Sequence, residues 1–156
     1  MKTRDLTVRL AALADAADIA AMSRDEIERG LSWSWTPGRV ANAIANPETN
    51  VVVVGPRGAL AGFGIMSYPN DDAHLLLFAV RAANRRRGVG SAMLAWLERV
   101  AREAGASRIR VECRRTNDAA RNFYGEHGYH EVAIARGYYR GREDAVQLEK
   151  HLRTVE

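Results

Sequence analysis

Between residues 74 and 100 the chain changes from one hydrophobic period to another across two glycines, which dictates a strand, a tight turn and a helix in succession. His74-Leu75-Leu76-Leu77-Phe78-Ala79-Val80 is a short apolar run of strand type, whereas Val89, Met93, Trp96, Leu97 and Val100 recur at helical spacing. Asn84-Arg85-Arg86-Arg87-Gly88-Val89-Gly90-Ser91 joins the two, so the glycines fall where a helix starts. The first turn of a helix leaves backbone N–H groups without partners, and its dipole adds about half a positive charge there. Gly88 and Gly90 lack a Cβ and let an anion approach the backbone, while Arg85, Arg86 and Arg87 bring charge to neutralise it. The segment therefore reads as a seat for a phosphate-bearing ligand.

Two common nucleotide loops are excluded. No Gly-x-x-x-x-Gly-Lys-Ser/Thr occurs, so there is no P-loop. Met93 stands three residues past Gly90, where a dinucleotide fingerprint needs Gly or Ala for close packing of helix on strand.

The rest of the chain orders itself by the same signals. Thr7 to Leu10 is a first strand, and Asp15 is placed to cap a helix carrying Ile19, Met22 and Ile27. Thr36-Pro37 opens a second helix with Val40, Ala43 and Ile44, ending at Asn46-Pro47. Val51 to Val54 and Leu60 to Ser67 are strands around the turn Gly55-Pro56-Arg57-Gly58, and Tyr68 to Asp72 forms a second turn. After the glycine loop and its helix, Arg108 to Cys113 alternates as a strand. Asn117 caps a helix that stops near Gly128, and strands follow near His130 to Ile134 and Ala145 to Lys150. This is an α/β chain with a mixed central sheet. At 156 residues, without repeat or linker, it forms one domain over 1–156, able to bury roughly two thirds of its unfolded surface.

Composition narrows the partners. Cys113 is the single cysteine, so no internal disulfide forms and an oxidising compartment is not indicated. Met1-Lys2-Thr3-Arg4-Asp5 lacks an apolar signal core, and no run of about 18 apolar residues exists for a membrane span, so a cytoplasmic protein is expected. The formal charge of +4 gathers at Arg81, Arg85, Arg86 and Arg87 and at Arg108, Arg110, Arg114 and Arg115. A phosphate-rich ligand explains such an excess locally, and without a helix-turn-helix, zinc or RNA-binding signature no nucleic-acid partner is expected. His127 and His130 are separated by the helix stop at Gly128 and have no further ligands nearby, so no metal is expected.

Two motifs in register carry a family resemblance. Arg85-x-x-Gly88-x-Gly90, after a strand ending in Val80, resembles the coenzyme A loop of the GNAT family of N-acetyltransferases. Val111 to Tyr129 resembles that family's other signature, a strand followed by Asn-x-x-Ala-x-x-x-Tyr-x-x-x-Gly-Phe, with Asn117, Ala120, Tyr124 and Gly128 at the anchors and Tyr129 replacing Phe. The resemblance implies a mixed, mostly antiparallel central sheet of six to seven strands flanked by about four helices. It also implies acetyl-CoA as co-substrate, a primary amine as acceptor, direct attack in a ternary complex, and a homodimer paired through the last strands as one possible state.

Site residues follow from the same resemblance. Phe78, Ala79 and Val80 would offer backbone N–H groups to the thioester and the pantetheine arm, and Arg85 to Ser91, including Val89, would hold the pyrophosphate. Asn117 falls on a cofactor contact, and Tyr124 on the general acid that protonates the leaving thiolate. Glu112 stands twelve residues before Tyr124, where the branch that acetylates the N-terminal amine of a ribosomal protein has its base. Strand alternation sets Arg110 and Arg114 on the face of Glu112, and their charge weakens a carboxylate as a base, so His74 is the reserve candidate. Tyr138 and Tyr139, in a stretch resembling the acceptor-covering loop of that branch, and Trp33 and Trp35, where the acceptor groove is walled, are the candidate substrate contacts. The two tryptophans depart from that branch and keep a small-molecule amine open as the acceptor.

Plainer readings stand beside these. The glycines can be a simple tight turn, Tyr124 a packing residue, Glu112 a partner for its arginine neighbours, and Trp33 and Trp35 core residues. A non-catalytic acyl-CoA sensor would keep the loop and lose the chemistry. Cys113 alternates away from Glu112 and reads as a small buried hydrophobe, not a nucleophile.

Overall fold

The computed structural model describes residues 7–152. The Met1 to Asp5 stretch, for which the sequence predicts no signal core, lies outside the described residues. Seven strands run in the order β1-β2-β3-β4-β5-β7-β6, and two compact units share them. Among the described residues, one unit holds residues 7–67 together with Leu76–Val100; the other holds Tyr68–Leu75 and residues 101–152.

In the first unit β1 (Val8–Leu10), β2 (Thr49–Val54) and β3 (Gly62–Ser67) pair antiparallel in sequence order. The residues of β4 (Ala73–Val80) from Leu76 on also belong here. Helix α1 (Ala16–Met22) runs into a π-helical turn, Ser23–Ile27, and α2 is Pro37–Ala45. Thr36 accepts a hydrogen bond from the Arg39 N–H at 3.4 Å, the N-terminal cap that Thr36-Pro37 predicts. The core on this side gathers Ile19, Met22, Val40, Val51, Val53 and Phe63. Each such large side chain contributes roughly 1.5–3 kcal/mol through burial.

Helix α3 (Val89–Glu103) presents Val89 and Met93 to a second cluster that includes Val54. Close approach comes from glycines on β3. A Cβ on Gly62 would lie 2.9 Å from the Met93 methyl, and one on Gly64 3.2 Å from Leu97. The space that a dinucleotide fingerprint would obtain from a third loop glycine is here left by the strand, which is why Met93 is accommodated.

Asp15 corrects an expectation. Its side chain makes no cap bond to α1. Instead the fully buried carboxylate takes Arg9 at 2.9 and 3.2 Å, the Ala12 N–H at 2.8 Å and Arg57 at 3.4 Å. The Arg9 hydrogen bonds chiefly, aided by Ala12 and Arg57 against the opposing effect of burial, lower its pKa from 3.8 to about 2.

In the second unit the start of β4 pairs parallel with β5 (Arg108–Arg114), setting Ala73, His74 and Leu75 against Ile109, Arg110 and Val111. β5 pairs antiparallel with β7 (Glu143–His151), which pairs antiparallel with β6 (His130–Tyr139). β5 alternates as predicted, with Ile109, Val111 and Cys113 buried on one face. Asn117 caps α4 (Asp118–Glu126) by accepting from the Ala120 N–H at 3.0 Å, and Gly128 follows at φ +89°. β6 is longer than the sequence suggests: Tyr138 and Tyr139 are its last residues and not part of a loop, the turn being confined to Arg140 to Arg142.

Candidate functional site

In the first unit the chain leaves β4 at Val80, makes one 3₁₀ turn at Ala82–Asn84 and enters α3 at Val89. Arg86, at φ +64°, and Gly88, at φ +81°, are both left-handed. A non-glycine residue in that region stores local strain, and such alternation can turn successive N–H groups to one side, toward an anion. Gly88 tolerates the conformation because it has no Cβ. Arg85 Nε donates to the Val80 carbonyl at 3.1 Å and its Nη2 to Glu26 at 2.7 Å, so this arginine braces the loop against the rest of its unit. Arg86 and Arg87 are exposed and make no ion pair among the described residues. The loop thus joins a left-handed backbone to two exposed arginines at the start of α3.

The arginine excess is therefore less concentrated on the loop than composition suggests. Arg81 pairs with Asp18, Arg108 with Asp72 and Glu149, Arg114 with Glu143, and Arg115 with Asp144.

The tryptophan segment of the same unit hangs on Glu28, a residue the sequence reading passes over. This carboxylate, 6% exposed, accepts from the Ser34 N–H at 2.7 Å, Ser34 Oγ at 2.8 Å, Ser23 Oγ at 2.9 Å and the Trp35 N–H at 3.3 Å. Trp35 packs partly on the core with Arg39 over its ring at 3.8 Å. Trp33 stays 39% exposed, with its indole N–H on the Ala20 carbonyl at 3.2 Å. One tryptophan is thus mostly structural and the other faces outward.

In the second unit two alternative base candidates prove to be one assembly. His74 Nε2 and Glu112 Oε1 are 2.6 Å apart, and Tyr138 donates its hydroxyl to the same oxygen at 3.3 Å. The parallel register sets His74 opposite Arg110, two residues before Glu112 on the same strand face, and the Glu112 side chain is only 8% exposed. Glu112 is not a salt-bridge partner of its arginine neighbours: Arg114 turns to Glu143 at 2.9 Å.

Tyr124 lies on α4, 4% exposed, edge-on to Phe123 and Tyr129 with ring centroids 5.5 Å away in each case. Burial first, then the nearby Cys113, Tyr139 and Glu112, raises its pKa well above the ordinary phenol value, so it keeps its proton at physiological pH. Tyr139 is likewise raised, chiefly by burial, and sits under Arg114 at 5.8 Å. Burial lifts the Cys113 thiol to about 11, which makes it a poor nucleophile. His127 Nδ1 lies 2.8 Å from the Phe123 carbonyl, which accepts its N–H at the end of α4.

A curated relative from Escherichia coli (strain K12), named [ribosomal protein bS18]-alanine N-acetyltransferase, is 36% identical over 92 residues, which is 57% of this chain. The chain spans 62% of that relative's length. The crystal structure of the ribosomal-protein-S18-alanine N-acetyltransferase from Escherichia coli superposes with a TM-score of 0.80 at 24% identity, covering 96% of both chains. An N-acetyltransferase from Thermoplasma acidophilum, solved in complex with coenzyme A, gives a TM-score of 0.77 at 16% identity over 93% of this chain and 98% of its own. Both likenesses show the fold. The model of the Acetyltransferase (GNAT) family matches residues 17–129, and the chain belongs to that family.

Proposed function

We propose that this protein moves an acetyl group from acetyl-CoA to a primary amine, with a protein or peptide N-terminus as the first acceptor class to test. The observation that carries the reading is Glu112: a withdrawn carboxylate whose hydrogen-bond partners are a histidine and a phenol. That set suits a group that accepts a proton and passes it on.

Acetyl-CoA supplies an acetyl thioester that is reactive toward an uncharged amine. Arg86, Arg87 and the backbone from Gly88 to Ser91 hold its pyrophosphate, while Arg85 braces that loop. Phe78, Ala79 and Val80 align the thioester through backbone N–H groups, and Asn117 contacts the cofactor beside its capping bond. Glu112, backed by His74, takes the proton from the acceptor ammonium. The freed amine bonds to the acetyl carbon as the carbon–sulfur bond breaks, and Tyr124 gives its proton to the departing sulfur. Trp33 and Tyr138, both exposed, touch the acceptor. The elevated Cys113 thiol favours this direct route over an acetyl-cysteine. The named activity of the bacterial relative supports the N-terminal acceptor, and we place the reaction in the cytoplasm.

The test is acetyl-CoA-dependent release of free CoA across peptides of varied N-terminal residue and small primary amines, with Tyr124→Phe in parallel. Turnover is expected with peptides, and Tyr124→Phe should lower kcat by roughly 100-fold with acetyl-CoA affinity retained. Turnover confined to free amines would move the acceptor to small molecules. Tight acetyl-CoA binding without turnover across the panel would replace the enzyme reading with a sensor.

A further inference from the structure

The second unit holds a polar hollow of about 150 Å³ on the Glu112 face of β5. Arg108, Arg110 and Glu112 line it from β5, Gln147 and Glu149 from β7, and Val132 from β6. A cavity of about 150 Å³ elsewhere takes a benzene molecule, so a fragment of about six heavy atoms fits.

Most of the charge around it is matched. Arg108 donates to Glu149 at 2.8 Å and to Asp72 Oδ2 at 3.1 Å, and Glu112 takes His74 and Tyr138. Arg110 is different. Its Nε is buried with no hydrogen-bond partner among the described residues. Its ion pair with Asp72 Oδ2 is stretched to 3.7 Å, and that oxygen already accepts from Arg108. The Nε–H itself is closed off from the hollow, but the Arg110 side chain as a whole is 31% exposed and lines it, so its weakly matched charge is available to an anion there. Arg110 and Glu112 also stand two residues apart on one face of a strand, which separates their Cα atoms by roughly 7 Å.

We propose that the acceptor carries a carboxylate within about two residue lengths, roughly 7 Å, of its amine, bound by Arg110 while Glu112 takes the amine proton. This makes Arg110 a specificity-determining residue for anionic acceptors, and it rests on the reading of Glu112 given above. The same chemistry is offered by a free amino acid and by a peptide N-terminus bearing an acidic side chain at its first or second position.

Equilibrium binding to the full chain in the presence of CoA separates the two sources, using matched acid and amide ligands. One arm compares alanine with alaninamide; the other compares C-terminally amidated alanylglutamate with alanylglutamine. In at least one arm the acid should bind about tenfold tighter or more, as a charge-assisted hydrogen bond warrants. The arm that discriminates names the source. Arg110→Gln should bring that ratio to about one, and Arg110→Lys, which keeps the charge without the planar fork, should retain part of it. Ratios near one in both arms of the wild type, or a ratio that survives both substitutions, would overturn the proposal. Binding requires no turnover, so acid selectivity without acetyl transfer would sink the catalytic reading and leave the role of Arg110 standing.

Discussion

Asp15 and Glu28 in the first unit and Glu112 in the second are carboxylates withdrawn from solvent, yet they are held differently. Asp15 takes two arginines and a backbone N–H, and Glu28 takes two backbone N–H groups and two serine hydroxyls. These donors do not give up protons near neutrality, and they hold the carboxylates ionised. Among the described residues Glu112 takes no backbone donor; His74 and Tyr138 converge on one oxygen. The two carboxylates that organise the fold are saturated by permanent donors, whereas the one proposed to handle protons takes a histidine and a phenol. Burial alone does not distinguish them.

The sharpest way to break this contrast is Glu112→Gln. It preserves shape and removes the proton acceptor, so kcat/KM should fall by at least roughly 100-fold while Tm stays within about 2 °C. A large drop in Tm with activity intact would place Glu112 with the structural pair. Asp15→Asn should do the reverse, lowering stability by about 2 kcal/mol and Tm by several degrees in a thermal melt. Because the folded pKa of Asp15 is depressed from 3.8 to about 2, its contribution is complete above the unfolded value and is lost as pH falls toward about 2. Wild type and variant should therefore converge in stability at strongly acidic pH. Glu28→Gln should have the smallest effect, about 1–2 kcal/mol, read as faster hydrogen exchange at the Ser34 and Trp35 amides. Burial works against ionisation of Glu28, but the Ser34, Ser23 and Trp35 hydrogen bonds prevail and lower its pKa, so this contribution too fades only on the acid side.

The contrast also marks what the sequence made legible. The glycine loop, the Thr36 and Asn117 caps and the alternation of β5 are local patterns, each set by a few neighbouring residues, and all appear in the structure. The meeting of His74 with Glu112 is not local. It depends on the register of a parallel ladder that brings residues 38 apart together, which no turn geometry specifies. Asp15 carried the right residue type for a cap, but Arg9 and Arg57 outcompete the helix start for its oxygens. Gly137 looks like a loop residue beside Tyr138, yet at φ +64° it accommodates an irregularity inside β6, with its N–H on Asp144 Oδ1 at 3.0 Å. Glu28 had no signal of its own, since its donors come from a serine–tryptophan segment with no regular period.

The most direct test is the pH profile of kcat/KM for wild type against Glu112→Gln, on whichever acceptor shows turnover. If Glu112, backed by His74, removes the amine proton, the acidic limb of the wild-type profile should be altered or lost in the variant beyond the drop in magnitude. Acidic limbs that superimpose after scaling would contradict the account and leave the proton to solvent or to His74 alone.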